Sequence, residues 1–294
     1  MRVAVLGAGT MGHGIAQVSA MAGHDVRLRD IDETAVTDGL DNIESNLEAG
    51  IERDKLTQTE AEATLARVSG TTSLETAVTD ADIVIEAVPE EIDIKHETVA
   101  EVESHVGQDT LICSNTSSLS LTDIASALEH PGRAIGLHFF NPVHIMQLVE
   151  IVVPEQGTDA TIDRAHSFVT GIDKTPVEVA DAPGFASSRL GVTLGAEAMR
   201  MVQEGVASPE DIDTAMQLGY NHPMGPIELG DVVGLDVRLD ILEYLRTELG
   251  ERFRPPQILK QKVRAGKLGK KSGEGFYIWE GGEPVGTSPG GAEQ

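Results

Sequence analysis

Cysteine is almost absent from this chain, with Cys113 the one example among 294 residues. A lone thiol forms no internal disulfide and no cysteine-built zinc site, so a disulfide scaffold is excluded and no metal site is expected. Basic residues are scarce as well: 22 Lys and Arg stand against 48 Asp and Glu, a formal net charge of −26. Such a surface repels phosphates overall, which speaks against nucleic acid as a partner. No apolar run reaches the ~18 residues of a membrane span. Met1 leads straight into a strand-like segment at 2–6, with no signal-peptide pattern before it. A soluble, cytoplasmic protein is expected.

The acids are scattered, as in Asp30-Ile31-Asp32-Glu33 and Glu90-Glu91-Ile92-Asp93, which suits a charged surface better than an acidic tail. Self-repulsion of this size destabilises a compact state at low ionic strength, and salt screens it. An ordinary acidic protein is the plain reading, and a halophilic one adapted to a salt-rich cytoplasm is the sharper. One stretch runs the other way. Of eight lysines, five fall at Lys260, Lys262, Lys267, Lys270 and Lys271, with Arg264 among them. A solvated basic face and a site for an anionic ligand both fit that run.

Strand-like and helix-like segments alternate over the first 180 or so residues. Strands are predicted at 2–6, 25–29, 82–86, 110–113, 134–138, 147–153 and 175–179, and helices at 12–22, 33–53, 58–66 and 92–106. This alternation predicts an α/β fold with a Rossmann-like, doubly wound, mostly parallel sheet. The last two strands have little helix before them, so antiparallel pairing is expected at that edge. Beyond Asp181-Ala182-Pro183-Gly184 the pattern turns helical, at 188–204, from an N-cap at Ser208, over one long amphipathic helix at 227–249, and at 255–265. The Gly- and Pro-rich end, 280–294, is expected to fray. Two domains are therefore expected: 1–181, and a smaller all-helical one at 182–294.

Gly7-Ala8-Gly9-Thr10-Met11-Gly12 matches G-x-G-x-x-G between a strand and a helix, and Asp30 ends the next strand 18 residues after Gly12. That context is the dinucleotide fingerprint. Gly7 permits the turn, Gly9 lets a pyrophosphate approach the backbone, Gly12 lets helix and strand pack, and the helix N-terminus offers N–H groups to the phosphates. Asp30 would accept from the ribose hydroxyls and repel a 2′-phosphate, which makes NAD the cofactor. Arg27 and Arg29 stand close by as residues able to receive that phosphate.

Ligands of doubly wound sheets bind at the carboxyl ends of the strands. Ser114-Asn115-Thr116-Ser117-Ser118 and His138-Phe139-Phe140-Asn141-Pro142 follow two of them. Glu150 interrupts Leu148-Val149-Glu150-Ile151-Val152-Val153. A carboxylate there either lies in water on an edge strand or is buried with a partner. His138 and His144 are the nearest histidines. His138 is preferred because it ends a strand at the cofactor edge, where a histidine oriented by a carboxylate is an arrangement for general acid–base catalysis.

These segments resemble the core motifs of the 3-hydroxyacyl-CoA dehydrogenase family. So do the hinge-like Asp181-Ala182-Pro183-Gly184-Phe185, the run His222-Pro223-Met224-Gly225-Pro226, and the tail Gly269-Lys270-Lys271-Ser272-Gly273-Glu274-Gly275-Phe276-Tyr277. The likeness runs in order over nearly the whole chain. It implies NAD-dependent oxidation of (S)-3-hydroxyacyl-CoA, with His138 as base, Glu150 holding it, and Ser117 on the reacting oxygen beside the nicotinamide. It also implies that Thr10, Met11, Glu90, Lys95, Asn141 and Lys271 belong to the cofactor site, and that the protein is a homodimer. Ser188 departs from the family pattern, standing where an Asn binds the substrate oxygen; its other reading is a helix N-cap. Around Asn46 to Lys55 only Arg53 and Lys55 could meet a CoA phosphate. Two rival functions stay open: a dehydrogenase of a small gulonate-type hydroxy acid without CoA, and a catalytically silent NAD-binding structural protein.

Overall fold

The structure, a computed structural model, describes residues 1–288. The chain divides into two compact units, one ending at Ala182 and one beginning at Pro183.

The first unit runs β1 (Arg2–Leu6), α1 (Gly12–Met21), β2 (Asp25–Arg29), α2 (Glu33–Glu52), α3 (Gln58–Leu65), β3 (Val68–Thr71), α4 (Leu74–Val78), β4 (Ile83–Glu86), α5 (Ile92–His105), β5 (Leu111–Ser114), α6 (Leu121–Ser126), β6 (Ala134–Phe139), β7 (Leu148–Val153), α7 (Asp159–Gly171) and β8 (Thr175–Ala180). Its eight strands form one sheet in the order β3-β2-β1-β4-β5-β6-β7-β8. The order reverses beside β1, and there the glycine-rich turn leaves the sheet. Strands β4, β5 and β6 are buried along their whole length, as expected of sheet centre strands covered on both faces. Helix starts follow local chemistry: Asp32 accepts from the N–H groups of Thr34 and Ala35 at α2, and Thr57 with Glu60 forms a capping box at α3.

Two expectations for this sheet change. Only β6 and β7 pair antiparallel, while β7 and β8 run parallel. The parallel crossover is made by α7, a helix whose apolar stripe is thin. Only Ala165, Phe168 and Val169 give it a buried apolar face, beside a buried Thr161 and an N-cap at Thr158. Strand β3 also escaped prediction, because Val68-Ser69-Gly70-Thr71 carries one apolar side chain.

The second unit runs α8 (Ser187–Gln203), α9 (Pro209–Tyr220), α10 (Pro226–Val233), α11 (Leu235–Leu249), α12 (Gln257–Arg264), β9 (Tyr277–Glu280) and β10 (Glu283–Thr287). Ser208 caps α9 and Pro209 occupies its first turn, as the sequence predicts. The long helix expected at 227–249 is two helices. Gly234 sits at φ +110, outside helical geometry, and the Leu235 N–H donates to the carbonyl of Leu268 instead. The unit is also not wholly helical. Residues expected to fray form the antiparallel hairpin β9/β10, and the frayed end expected at 289–294 lies outside the described residues. Two buried aspartates hold this hairpin. Asp231 accepts from the Phe276 and Tyr277 N–H groups and the Trp279 indole, and Asp213 accepts from the Tyr277 hydroxyl and the Ile227 and Glu228 N–H groups. Burial pushes both carboxyls above their usual range despite these donors.

The lysine-rich stretch is neither a bare basic face nor an open anion site. Lys260 pairs with Glu243, Lys267 with Glu274 and Lys271 with Asp236. Lys262 donates to the Gly275 carbonyl and lies over the Phe276 ring, and Lys270 lies over Trp279.

Candidate cofactor site and active site

The β1–α1 turn is shaped by its glycines, each for a different reason. Gly7 has φ +98, and a Cβ there would stand 2.4 Å from the Ala87 carbonyl oxygen. At Gly12 a Cβ would lie 1.7 Å from the Gly7 oxygen, so strand and helix meet backbone to backbone. At Gly9 nothing lies within 4 Å of the Cβ position. No protein group demands glycine there, as expected where a ligand backbone contact does. Helix α1 opens at Met11 without a side-chain cap and has no acid in its first turn, which suits a phosphate. Thr10 is exposed beside it.

Asp30 shapes the same turn. One carboxylate oxygen accepts from the Ala8 N–H at 2.8 Å and the other from Ile31 at 2.7 Å. Arg27 donates to the carbonyls of Thr76 and Thr79, and Arg29 to that of Thr72. Both arginines weighed as receivers of a 2′-phosphate are thus tied by one nitrogen each to backbone carbonyls. The residues fit NAD.

The next polar cluster crosses from β4 to β5. Lys95 on α5 is 1% exposed, and its Nζ donates to both Glu86 oxygens at 2.9 Å and pairs with Glu90 at 3.3 Å. Ser114 donates a hydrogen bond to Glu86. The other Glu90 oxygen organises the loop after β5. It accepts from the Thr116 hydroxyl at 2.6 Å, the Ser117 N–H at 2.9 Å and the Ser118 N–H at 3.2 Å. Desolvation pushes Glu90 up, but Lys95, Thr116 and Ser117 together outweigh it and hold the carboxyl below its usual range. Glu90 therefore shapes the loop that presents Ser117, and Lys95 acts on that loop through Glu90.

His138 and Glu150 meet because β6 and β7 pair antiparallel with these two residues directly opposite. His138 Nδ1 lies 2.8 Å from a Glu150 oxygen, with the residues 6% and 1% exposed. Strand β7 has β6 on one side and β8 on the other, so Glu150 is not in water on a sheet edge. The chain beyond β6 is pinned in turn. Asn115 accepts from the Phe139 N–H, Phe140 lies against the His138 ring, and Lys174 donates to the carbonyls of Val143 and Met146. Asn141 is exposed and precedes Pro142 through a cis peptide bond.

In the second unit Ser188 lies in the first turn of α8, half-buried. The N-cap of that helix is Ala186, so Ser188 is not a cap. Lys271 follows Gly269 in a short turn and is bound by Asp236 at 2.6 Å. In the hairpin region around 46–55, Asn46 donates to Gln17 on α1, while Arg53 and Lys55 are exposed between α2 and α3.

Sequence reasoning missed Glu86 and Lys174, and put Asn115 and Thr116 at the strand end without giving either a role. Glu86 carried the same signal as Glu150, a carboxylate closing the apolar run Ile83-Val84-Ile85, and could have been found by it. The other three act on backbone atoms of loops, and nothing in the sequence marks such contacts.

Two family models cover most of the chain. Residues 2–182 match the 3-hydroxyacyl-CoA dehydrogenase NAD binding domain, and residues 184–279 match the C-terminal domain of the same family. A probable 3-hydroxybutyryl-CoA dehydrogenase of Bacillus subtilis is 44% identical, over 95% of this chain and 97% of its own. The 3-hydroxybutyryl-CoA dehydrogenase of Clostridioides difficile is 41% identical, over 94% of this chain and 99% of its own. The crystal structure of (S)-3-hydroxybutyryl-CoA dehydrogenase from Ralstonia eutropha superposes with a TM-score of 0.91 at 40% identity, over 95% of this chain and 99% of that one.

Proposed function

Because the chain belongs to the 3-hydroxyacyl-CoA dehydrogenase family, we propose that its His138–Glu150 pair is the general base in NAD-dependent oxidation of (S)-3-hydroxyacyl-CoA to 3-oxoacyl-CoA. The observation that carries this reading is the buried 2.8 Å contact between His138 Nδ1 and Glu150 at the carboxyl edge of the sheet. NAD supplies the hydride acceptor when bound. With Nδ1 given to Glu150, His138 takes the proton of the 3-hydroxyl at Nε2. The buried Glu150 carboxylate orients the ring and stabilises the imidazolium that results. Ser117, set in place by Glu90, donates to the reacting oxygen. Ser188 supplies the hydrogen bond that an Asn makes in the family pattern. In the reverse direction His138 returns the proton.

Cofactor binding falls to Gly7, Gly9, Thr10, Met11 and Gly12 at the phosphates and to Asp30 at the ribose, with Asn141 as a further contact, whereas Lys271 is already paired with Asp236. Glu90 and Lys95 contribute by holding the Ser117 loop. We infer a homodimer in a salt-rich cytoplasm. The exposed Leu190, Leu194, Leu218, Tyr220, Leu229 and Val233 of the second unit support self-association, and the net charge of −26 supports the salt-rich setting.

Loss of NADH absorbance with acetoacetyl-CoA tests the reaction. Rapid NADH oxidation with the thioester and none with free 3-oxo or sugar acids is expected. Turnover of the free acids alone would assign the site to a hydroxy acid dehydrogenase, and inactivity with both would leave a silent NAD-binding protein.

A further inference from the structure

Arg238 on α11 is buried at 8% exposure. Among the described residues no carboxylate or carbonyl accepts from its guanidinium, and its Nε is a buried donor with no acceptor. Burial is the one influence on it, pushing the guanidinium down to about 10. Buried charges in folded proteins are normally paired. Lys95, buried still deeper, has Glu86 and Glu90. A chain with 48 acidic residues has no shortage of carboxylates to place beside Arg238. The described residues nevertheless supply none.

The position of the side chain says what could complete it. Arg238 Nη1 lies 3.5 Å from the Cβ position of Gly191 on α8. Gly191 shares a helix face with Ser188, three residues earlier, and such neighbours stand about 5–6 Å apart. The guanidinium is thus within roughly 9 Å of Ser188, the length of a short acyl chain. Its planar fork matches a carboxylate in bidentate fashion.

We propose that Arg238 is a specificity-determining residue that receives a carboxylate at the far end of the acyl chain, so that the preferred substrates are ω-carboxy-3-hydroxyacyl thioesters. This rests on the assignment of Ser188 and the dehydrogenase reaction given above.

The test compares 3-hydroxyhexanoyl-CoA with its ω-carboxy counterpart of equal length in the wild type, Arg238→Leu and Arg238→Lys. The wild type is expected to favour the carboxylate-ended substrate at least tenfold in kcat/KM. Arg238→Leu should reverse that preference, chiefly through KM, while still oxidising the methyl-ended substrate, and Arg238→Lys should keep part of it. Calorimetric titration with the ω-carboxy-3-oxoacyl-CoA, without NAD, should show the same loss of affinity in Arg238→Leu. The Leu variant is expected to melt no lower than the wild type, because it replaces a lone buried charge by an apolar side chain, so a folding failure would be visible. An unchanged substrate ratio and affinity in Arg238→Leu overturns the proposal and leaves the dehydrogenase assignment standing. An unchanged ratio with a lost dimer would assign the guanidinium to a second copy of the chain, and also overturns it. If neither thioester is oxidised by the wild type, the dehydrogenase reading falls with it.

Discussion

Glu150 was conspicuous as a residue before any fold was known, because a carboxylate inside Leu148-Val149-Glu150-Ile151-Val152-Val153 must be either solvated or partnered. Of the two nearest histidines, His138 and His144, the sequence prefers His138 because it ends a strand at the cofactor edge. The antiparallel register of β6 and β7 agrees with that preference by setting His138 directly opposite Glu150. Replacing His138 by Gln keeps side-chain volume near its present value and removes the base. Turnover is expected to fall by about 10²–10⁴-fold, the usual contribution of general acid–base catalysis, with NAD affinity nearly unchanged in a fluorescence titration. Near-normal turnover would take His138 out of the mechanism. Asp30 shows the limit of reading residues singly. The sequence assigns it to a ribose, yet in the fold its carboxylate also accepts from Ala8 and Ile31, so it builds the turn as well as facing it.

At the scale of the element, the β1–α1 turn separates glycines that the fold needs from one that the ligand needs. A Cβ on Gly12 would collide with the Gly7 carbonyl, and the colliding atom is backbone that cannot swing away. Gly12→Ala is therefore expected to cost about 3 kcal/mol of stability or more, by overpacking, read by urea unfolding. Gly9→Ala meets open space and should unfold within about 1 kcal/mol of the wild type, yet lose NAD affinity at least tenfold in calorimetry. Equal stability losses in the two variants would refute this division of roles. The α10–α11 break is a different lesson. Hydrophobic periodicity continues across 227–249, and a single Gly234 does not announce a break, since isolated glycines occur within helices. What stops the helix is the Leu268 carbonyl, which draws away the Leu235 N–H from a distant part of the chain.

At the scale of the whole molecule, the charge of −26 is a collective property that no single contact relieves. Screening shortens from about 10 Å at 0.1 M salt to about 3 Å at 1 M. Melting temperature is accordingly expected to rise as KCl is raised from 0.1 to 2 M. Each kcal/mol of relieved repulsion adds about 2 °C in a protein of this size. A melting temperature that is flat or falls over that range in differential scanning calorimetry would remove the case for a salt-adapted protein. The few cations do not offset this charge as a free surface. Lys260, Lys267 and Lys271 are each committed to an acid of the second unit.

The sequence by itself determined the doubly wound sheet, the dinucleotide turn, the carboxylate at Glu150 and the family. All four are written in local patterns: strand–helix alternation, glycine spacing, a charge in an apolar run, and motifs in order. Tertiary structure decided what depends on residues distant in the chain. It paired His138 with Glu150 and placed Lys95 on Glu86 and Glu90. It turned a tail expected to fray into a hairpin held by Asp213 and Asp231, and left Arg238 buried without an acid. The physical reason is common to these cases. Periodicity reports which side of an element is buried, while the partner of a buried polar group depends on register and crossover, and these exist only after the chain has folded.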